Sequence, residues 1–239
     1  MIRMKIFLFI LLLIGDFTQA TIDKNYLLGR FDPAKDSRFA QLTSTYAQGS
    51  ALNGFLRKET FEAFQKMTEA AKKEGVNLII VSATRNFGSQ KKIWENKWNG
   101  KTRVEGKDLT SISDLKERAR LILLYSSMPG TSRHHWGTDV DLNSLDNNYF
   151  LKGDGLKIYQ WLSAHASEYG FCQPYISKAN GRTGYEEEKW HWSYLPLSKL
   201  FLTEYKKQIS YSDITGFDGS EQGLSLEILT DYVDGVACR

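Results

Sequence analysis

Two short stretches of the chain hold the residue types that bind divalent metals. The first is Ser132-Arg133-His134-His135-Trp136-Gly137-Thr138-Asp139-Val140-Asp141-Leu142-Asn143, and the second is Glu188-Lys189-Trp190-His191-Trp192. His134 and Asp141 are seven residues apart with Gly137 between them, so a bend brings an imidazole and a carboxylate to one ion. His191 supplies a third donor from a separate segment. Catalytic zinc takes three protein ligands from N, O or S donors and leaves a fourth position for water. Glu188, three residues before His191, is then spare. A carboxylate beside such a metal is placed to take a proton from the attacking water. These are the parts of a zinc hydrolase.

The chain has four histidines, two of them at these positions. His135 adjoins His134, and His165 lies elsewhere on what reads as a helix surface. Residue types alone leave a second reading open. It has histidines that are merely hydrogen-bonded and a Glu188 that closes the solvated run Glu186-Glu187-Glu188.

The elements that must position these groups read as follows. Residues 21–50 are mixed and polar, with turns at Asp32-Pro33 and Gln48-Gly49-Ser50, and read as an arm laid across the domain. Phe61, Phe64, Met67 and Ala71 recur at three and four residues, which predicts a helix within 52–74 that stops at Gly75. The β-branched run 76–83 reads as a buried strand. Arg85 follows its C-terminal end, where a guanidinium can enter a cleft. Helices are expected over 89–98, 113–124 with Ser113 as N-cap, 154–169, and near 198–208. Residues 99–111 read as a polar loop. The segment 135–143 should be extended, with Val140 and Leu142 on one side and Asp139 and Asp141 on the other. Residues 177–187 suit a rim or lid, and 190–194 a second extended segment that ends at Pro196. The tail beyond 208 gives no firm pattern. Strands separated by helices, with a hairpin-like pair of site strands, give an α+β domain with a small, mainly antiparallel sheet flanked by helices.

Composition sets the outer bounds. At 239 residues, 41% hydrophobic and 13% aromatic, the chain suits one domain with a substantial core. The formal charge of +3 comes from interspersed signs without a long basic run, so nucleic acid is not an implied partner. Arg3 and Lys5 precede the apolar run Ile6–Ile14, and Ala20 ends the leader. That run is far shorter than the about twenty residues a membrane span needs. Residues 1–20 therefore read as a cleaved signal peptide and 21–239 as the mature domain. We expect an exported monomer of the bacterial periplasm or cell envelope, without stable membrane insertion. In such an oxidising compartment Cys172 and Cys238 are expected to pair and pin the tail.

The two stretches together carry a resemblance. Ser132-x-His134-x-x-Gly137-x-Asp139-x-Asp141, followed by Glu188-x-Trp190-His191, resembles the VanY-type D-alanyl-D-alanine carboxypeptidases. These are zinc peptidases of bacterial cell-wall metabolism related to the VanX dipeptidases, with a fold shared by the Hedgehog signalling domain. That family carries Ser-x-His-x-x-Gly-x-Ala-x-Asp and Glu-Pro-Trp-His, with an upstream Tyr-Arg-Ser-type strand end and a Gln five residues after the Arg. Arg85 and Gln90 have that spacing, and the likeness covers about residues 55–195.

The resemblance implies His134, Asp141 and His191 as zinc ligands and Glu188 as general base. It further implies Arg85 as the group that stabilises the oxyanion or grips substrate, with Gln90 and Ser132 in substrate binding. Three positions depart from the family. Asp139 stands in place of Ala, where it can tune the site, orient a histidine or compete as a ligand. Lys189 replaces Pro, and Thr84 and Asn86 replace the Tyr and Ser around Arg85. The implied activity is removal of the C-terminal D-alanine from peptidoglycan stem peptides. An L,D-carboxypeptidase, an endopeptidase and a catalytically silent metal-stabilised module are the rival readings.

Overall fold

The computed structural model describes residues 22–238. The expected signal peptide lies outside the described residues. Within them, no helix is long and apolar enough to cross a membrane.

The chain begins with a short helix α1 (Lys24–Leu27) whose N-cap Asp23 accepts from the Asn25 amide. A two-stranded antiparallel ladder follows, β1 (Phe39–Gln41) with β2 (Phe55–Arg57). Next comes the long amphipathic helix α2 (Lys58–Lys73), which buries Phe64, Met67 and Ala71. Its apolar face is the one the spacing predicted. Full burial of a side chain such as Phe64 or Met67 contributes about 1.5–3 kcal/mol.

The main sheet has four strands in the order β3 (Ile80–Ser82), β4 (Asp139–Leu142), β6 (His191–Tyr194), β5 (Phe171–Cys172). All of its pairings are antiparallel, and Asp141 stands opposite His191 in the β4–β6 register. On one sheet face Val140, Leu142 and Trp192 join the α2 side chains and Ile158 and Leu162 of α5 (Gly153–His165) in one apolar core. Strand alternation then forces Asp139, Asp141, His191 and Ser193 onto the opposite face.

Helices α3 (Phe87–Trp98), α4 (Leu115–Ile122) and α6 (Leu195–Gln208) form a second core with Tyr26 to Leu28 of the arm and the tail beyond residue 208. Small antiparallel sheets with flanking helices make the molecule α+β.

Several boundaries move from the sequence expectation. The strand over 76–83 shrinks to Ile80–Ser82, because the Val76 amide is spent on the carbonyl of Ala71 at the end of α2. The N-cap of α4 is Asp114 rather than Ser113; its carboxylate accepts from the Lys116 and Glu117 amides. The segment 135–143 is extended only from Asp139. Residues Arg133–Trp136 form a 3-10 turn closed by Gly137 at φ 72°, which favours glycine. Helix α6 starts at Leu195, with Pro196 in the first turn where its missing N–H costs nothing.

Cys172 and Cys238 form a disulfide, so the tail is tied to β5 at the edge of the main sheet.

Candidate functional site

Above the polar face of the sheet lies a cleft of about 650 Å³. All seven residues singled out from the sequence line it: Arg85, Gln90, Ser132, His134, Asp141, Glu188 and His191.

His134, Asp141 and His191 are buried, and one donor atom from each lies within 4.8 Å of the others. His134 Nε2 is 3.3 Å and His191 Nδ1 3.2 Å from the same oxygen, Asp141 Oδ1. The remaining ring nitrogens are already committed. His134 Nδ1–H donates to the Ala83 carbonyl at 2.9 Å, and His191 Nε2–H donates to Asp139 Oδ1 at 2.9 Å. Both rings are thereby held in the tautomer that turns a lone pair towards Asp141.

His134 Nε2 and Asp141 Oδ1 have no hydrogen-bond partner although both are buried. Unfilled buried polar atoms are costly, and a cation would satisfy them. Two imidazoles and a carboxylate are a donor set that suits zinc. The residues present fit the metal that the sequence implied.

The charges around these groups show the same crowding. Burial pushes the Asp141 carboxyl up, but the facing His134 and His191 outweigh it and hold it well below the usual range. Burial opposes a charged His191, yet Asp139, Asp141 and Glu188 around it raise its pKa well above the ordinary value. Burial, with the Arg85 charge adding to it, keeps His134 below its ordinary value.

Glu188 touches His191, Oε2 to Nδ1 at 3.2 Å, from a position 5% exposed. Burial raises its pKa, against the pull of His191.

Arg85 leaves β3 and points into the cleft. Its Nε donates to Gln90 Oε1 at 3.0 Å and its Nη1 to Ser82 Oγ at 2.7 Å, with Nη1 3.6 Å from Asp141 Oδ2. Gln90 Nε2 in turn donates to the Ser127 carbonyl at 2.8 Å. The Gln90 amide is therefore spent on holding the guanidinium. Ser132 Oγ is buried in the cleft without a partner.

Asp139 is the residue whose role the sequence left open. It faces His191 from behind and is itself gripped by Arg133 Nε at 3.0 Å and Thr138 Oγ1 at 2.6 Å. Arg133 Nη2 reaches Ser193 Oγ at 2.6 Å. Asp139 and Arg133 are 0% and 1% exposed, a fully buried ion pair behind His191. This pair was missed in the sequence, although a carboxylate where the family has Ala and an Arg six residues earlier were both visible there.

Tyr175 also escaped notice. Its ring packs on His191 with centroids 4.7 Å apart, Tyr185 packs on Tyr175 at 5.0 Å, and Tyr232 of the tail on Tyr185 at 5.0 Å. The loop expected to be a rim is fastened by Arg182, which donates to the carbonyls of Ile176, Thr183, Tyr185 and Gly235. It is a tied wall rather than a free lid.

Comparison with known proteins gives the same direction. The VanY family model, D-alanyl-D-alanine carboxypeptidase, matches residues 53–197. YodJ of Bacillus subtilis (strain 168) is 28% identical over 183 residues, covering 74% of this chain and 59% of YodJ. The D-alanyl-D-alanine carboxypeptidase of Enterococcus faecalis (strain ATCC 700802 / V583) is 29% identical over 131 residues, covering 55% of this chain and 45% of that protein. The chain thus spans less than two thirds of the length of these two relatives.

Among solved structures is a mutant of the vancomycin resistance D,D-pentapeptidase VanY from a VanB-type cassette, in complex with Zn(II). It superposes with a TM-score of 0.51 at 23% identity, over 80% of this chain and 92% of that one, a likeness of fold. With more than half of its residues inside the family match, this chain belongs to the VanY D-alanyl-D-alanine carboxypeptidase family.

Proposed function

We propose that the protein is an exported zinc carboxypeptidase that removes the C-terminal D-alanine from peptidoglycan stem peptides. The observation that carries this reading is the convergence of His134 Nε2, His191 Nδ1 and Asp141 Oδ1, with Glu188 alongside. Family membership and the name of the Enterococcus relative support the substrate class. The Zn(II) complex of the VanY structure supports the metal.

His134, Asp141 and His191 would hold the zinc. When bound, zinc supplies a Lewis acid for a carbonyl oxygen and lowers the pKa of water at its open position. Glu188 takes the proton of the attacking water and delivers it to the amine that leaves, which needs a carboxylate basic enough to accept a proton near neutrality. Burial of Glu188 moves it that way. Arg85, fixed by Ser82 and Gln90, presents its positive charge where the scissile carbonyl oxygen becomes negative. The unpartnered Ser132 hydroxyl is free to bond the peptide. Positioning of this kind comes from second-layer contacts that lock each group before substrate arrives.

The test is to incubate the mature protein, zinc-loaded and chelator-stripped, with a synthetic stem pentapeptide ending in D-Ala-D-Ala and to weigh the products. Zinc-dependent loss of one alanine is expected. Cleavage of the tetrapeptide alone would replace this reading with an L,D-carboxypeptidase, and silence on both peptides would overturn it.

A further inference from the structure

One wall of the cleft runs on past Gln90, beyond the groups used above. On α3, Gln90, Ile93 and Lys97 recur at three and four residues and all line the cleft. Lys97 is two helical turns, roughly 10 Å along the axis, from Gln90 and the guanidinium that Gln90 holds. The Lys97 ammonium donates to Ser126 Oγ at 2.5 Å. Among the described residues no carboxylate lies within ion-pairing distance of it. Lys24, Lys178, Lys206 and Lys207, by contrast, each rest on an Asp or Glu at 2.6–2.7 Å. Burial lowers the pKa of Lys97 and the nearby Arg85 charge adds to that, while Glu188 works against it.

A partly desolvated ammonium with one neutral oxygen for company is an expensive arrangement unless an anion completes it. The half-buried Lys97 sits in the cleft, whose walls Tyr125, Ser127 and Trp190 also line. The cleft volume admits several residues of extended peptide, so substrate groups beyond the scissile bond reach this wall.

We propose that Lys97 is a carboxylate-binding residue of the cleft, which receives an acidic group of the peptide substrate and makes the enzyme prefer acidic peptides over their amidated counterparts. This assignment rests on the peptidase reading. Two carboxylates on a stem peptide share the required chemistry, the C-terminal one and an acidic group upstream. Of the other cations that line the cleft, Arg85 is engaged at the reacting carbonyl and Arg133 is paired with Asp139, which leaves Lys97 as the cationic lining residue without a carboxylate partner among the described residues.

The experiment uses zinc-loaded full-length mature protein as wild type, Lys97→Met and Lys97→Arg. Each is given three peptides of one sequence ending in D-Ala-D-Ala: the free acid, the form amidated on the upstream acidic group, and the C-terminal amide. Removing one charge-assisted contact should raise KM by roughly 10- to 100-fold with little change in kcat. Wild type should show that penalty on one of the two amides, and which amide shows it identifies the carboxylate. Lys97→Met should show the raised KM on the free acid and no further penalty on that amide, whereas Lys97→Arg should keep the wild-type preference.

A lysine that only props the fold would leave the preference between acid and amide untouched. If Lys97→Met does not fold, Lys97→Gln, which retains a donor for Ser126, takes its place. Equal amide penalties in wild type and the neutral variant overturn the assignment while leaving the peptidase reading intact. Failure of the zinc-loaded wild type to cleave any of the three peptides overturns both.

Discussion

The two sides of the turn Arg133–Trp136 use similar residues and finish them differently. On the cleft side, Ser132 Oγ, Arg133 Nη1, His134 Nε2 and Asp141 Oδ1 are buried without a hydrogen-bond partner. On the far side the polar side-chain atoms of His135 and Trp136 are all answered. His135 Nδ1–H donates to the Arg85 carbonyl at 2.6 Å, and its Nε2 accepts from the Gly130 amide at 3.0 Å. Trp136 Nε1–H donates to the Leu27 carbonyl at 3.1 Å, and the Trp136 carbonyl accepts from Tyr26 Oη at 2.6 Å. Neighbouring histidines thus have opposite duties. Under the proposed function the unfilled atoms of the cleft are where the metal and peptide would bind, and the filled ones of His135 and Trp136 hold the turn in place.

The largest effects should come from the unfilled side. His191→Ala or Asp141→Ala removes one of three donors, so stoichiometric zinc and peptide hydrolysis should both fall to background while the far side stays folded. Metal analysis alongside a peptide assay checks this, and a zinc-replete, active His191→Ala would break the distinction drawn above.

Next in size is the layer between the two sides. Asp139→Ala takes away the hydrogen bond that fixes the His191 tautomer, which should weaken zinc binding by about 10–100-fold in a chelator competition. It also leaves Arg133 buried and uncompensated, at a cost of about 3–5 kcal/mol. The double variant Arg133→Met, Asp139→Ala should recover much of that stability while zinc stays weak. Unchanged zinc affinity in both would show that Asp139 serves only the fold.

On the far side, a methyl group at Gly29 would fall 2.5 Å from His135 Cγ and Nδ1, at a backbone φ of 72°. Gly29→Ala should therefore destabilise the protein, by about 1–2 kcal/mol from the left-handed backbone alone and more from the ring it meets. A thermal melt equal to wild type would show that the arm does not brace this turn.

The smallest effect is a pH dependence carried by His135. Burial holds its pKa at about 3, against the ordinary 6.5, so the imidazole is neutral in the fold. The unfolded chain takes up a proton below about 6.5 and the folded one does not, so stability is full above that pH and lost as pH falls towards 3. The slope is about 1.4 kcal/mol per pH unit at most. His135→Gln keeps a donor and an acceptor but does not titrate. Its deficit in urea unfolding of the zinc-saturated protein should shrink between pH 7 and pH 5, and a constant deficit would contradict this account of the ring.

The grouping of the near side was legible in the sequence, because residue types that can bind a metal stood at positions a strand pair can align. His134, Asp141, Glu188 and His191 could be named, and alternation put Asp141 opposite the apolar Val140 and Leu142. The far side was not legible. Trp136 bonds the Leu27 carbonyl 109 residues away in sequence, and such contacts leave no local period to read. The tail was opaque for the same reason, as its 3-10 turns and single π-turn are set by what they cover rather than by a repeat. Asp139 was visible as a departure from the family, but which of its three roles applied depended on where Arg133 pointed.

The most direct test of the central claim uses one pair of samples, wild type and Glu188→Gln, each reconstituted with zinc and assayed for bound metal and for release of D-alanine from a stem pentapeptide. Glu188 lies outside the converging donors, so both should bind zinc alike, while the variant should lose turnover by roughly 10²–10⁴-fold. A zinc-loaded Glu188→Gln as active as wild type, or a wild type equally active after its metal is stripped, would contradict the account.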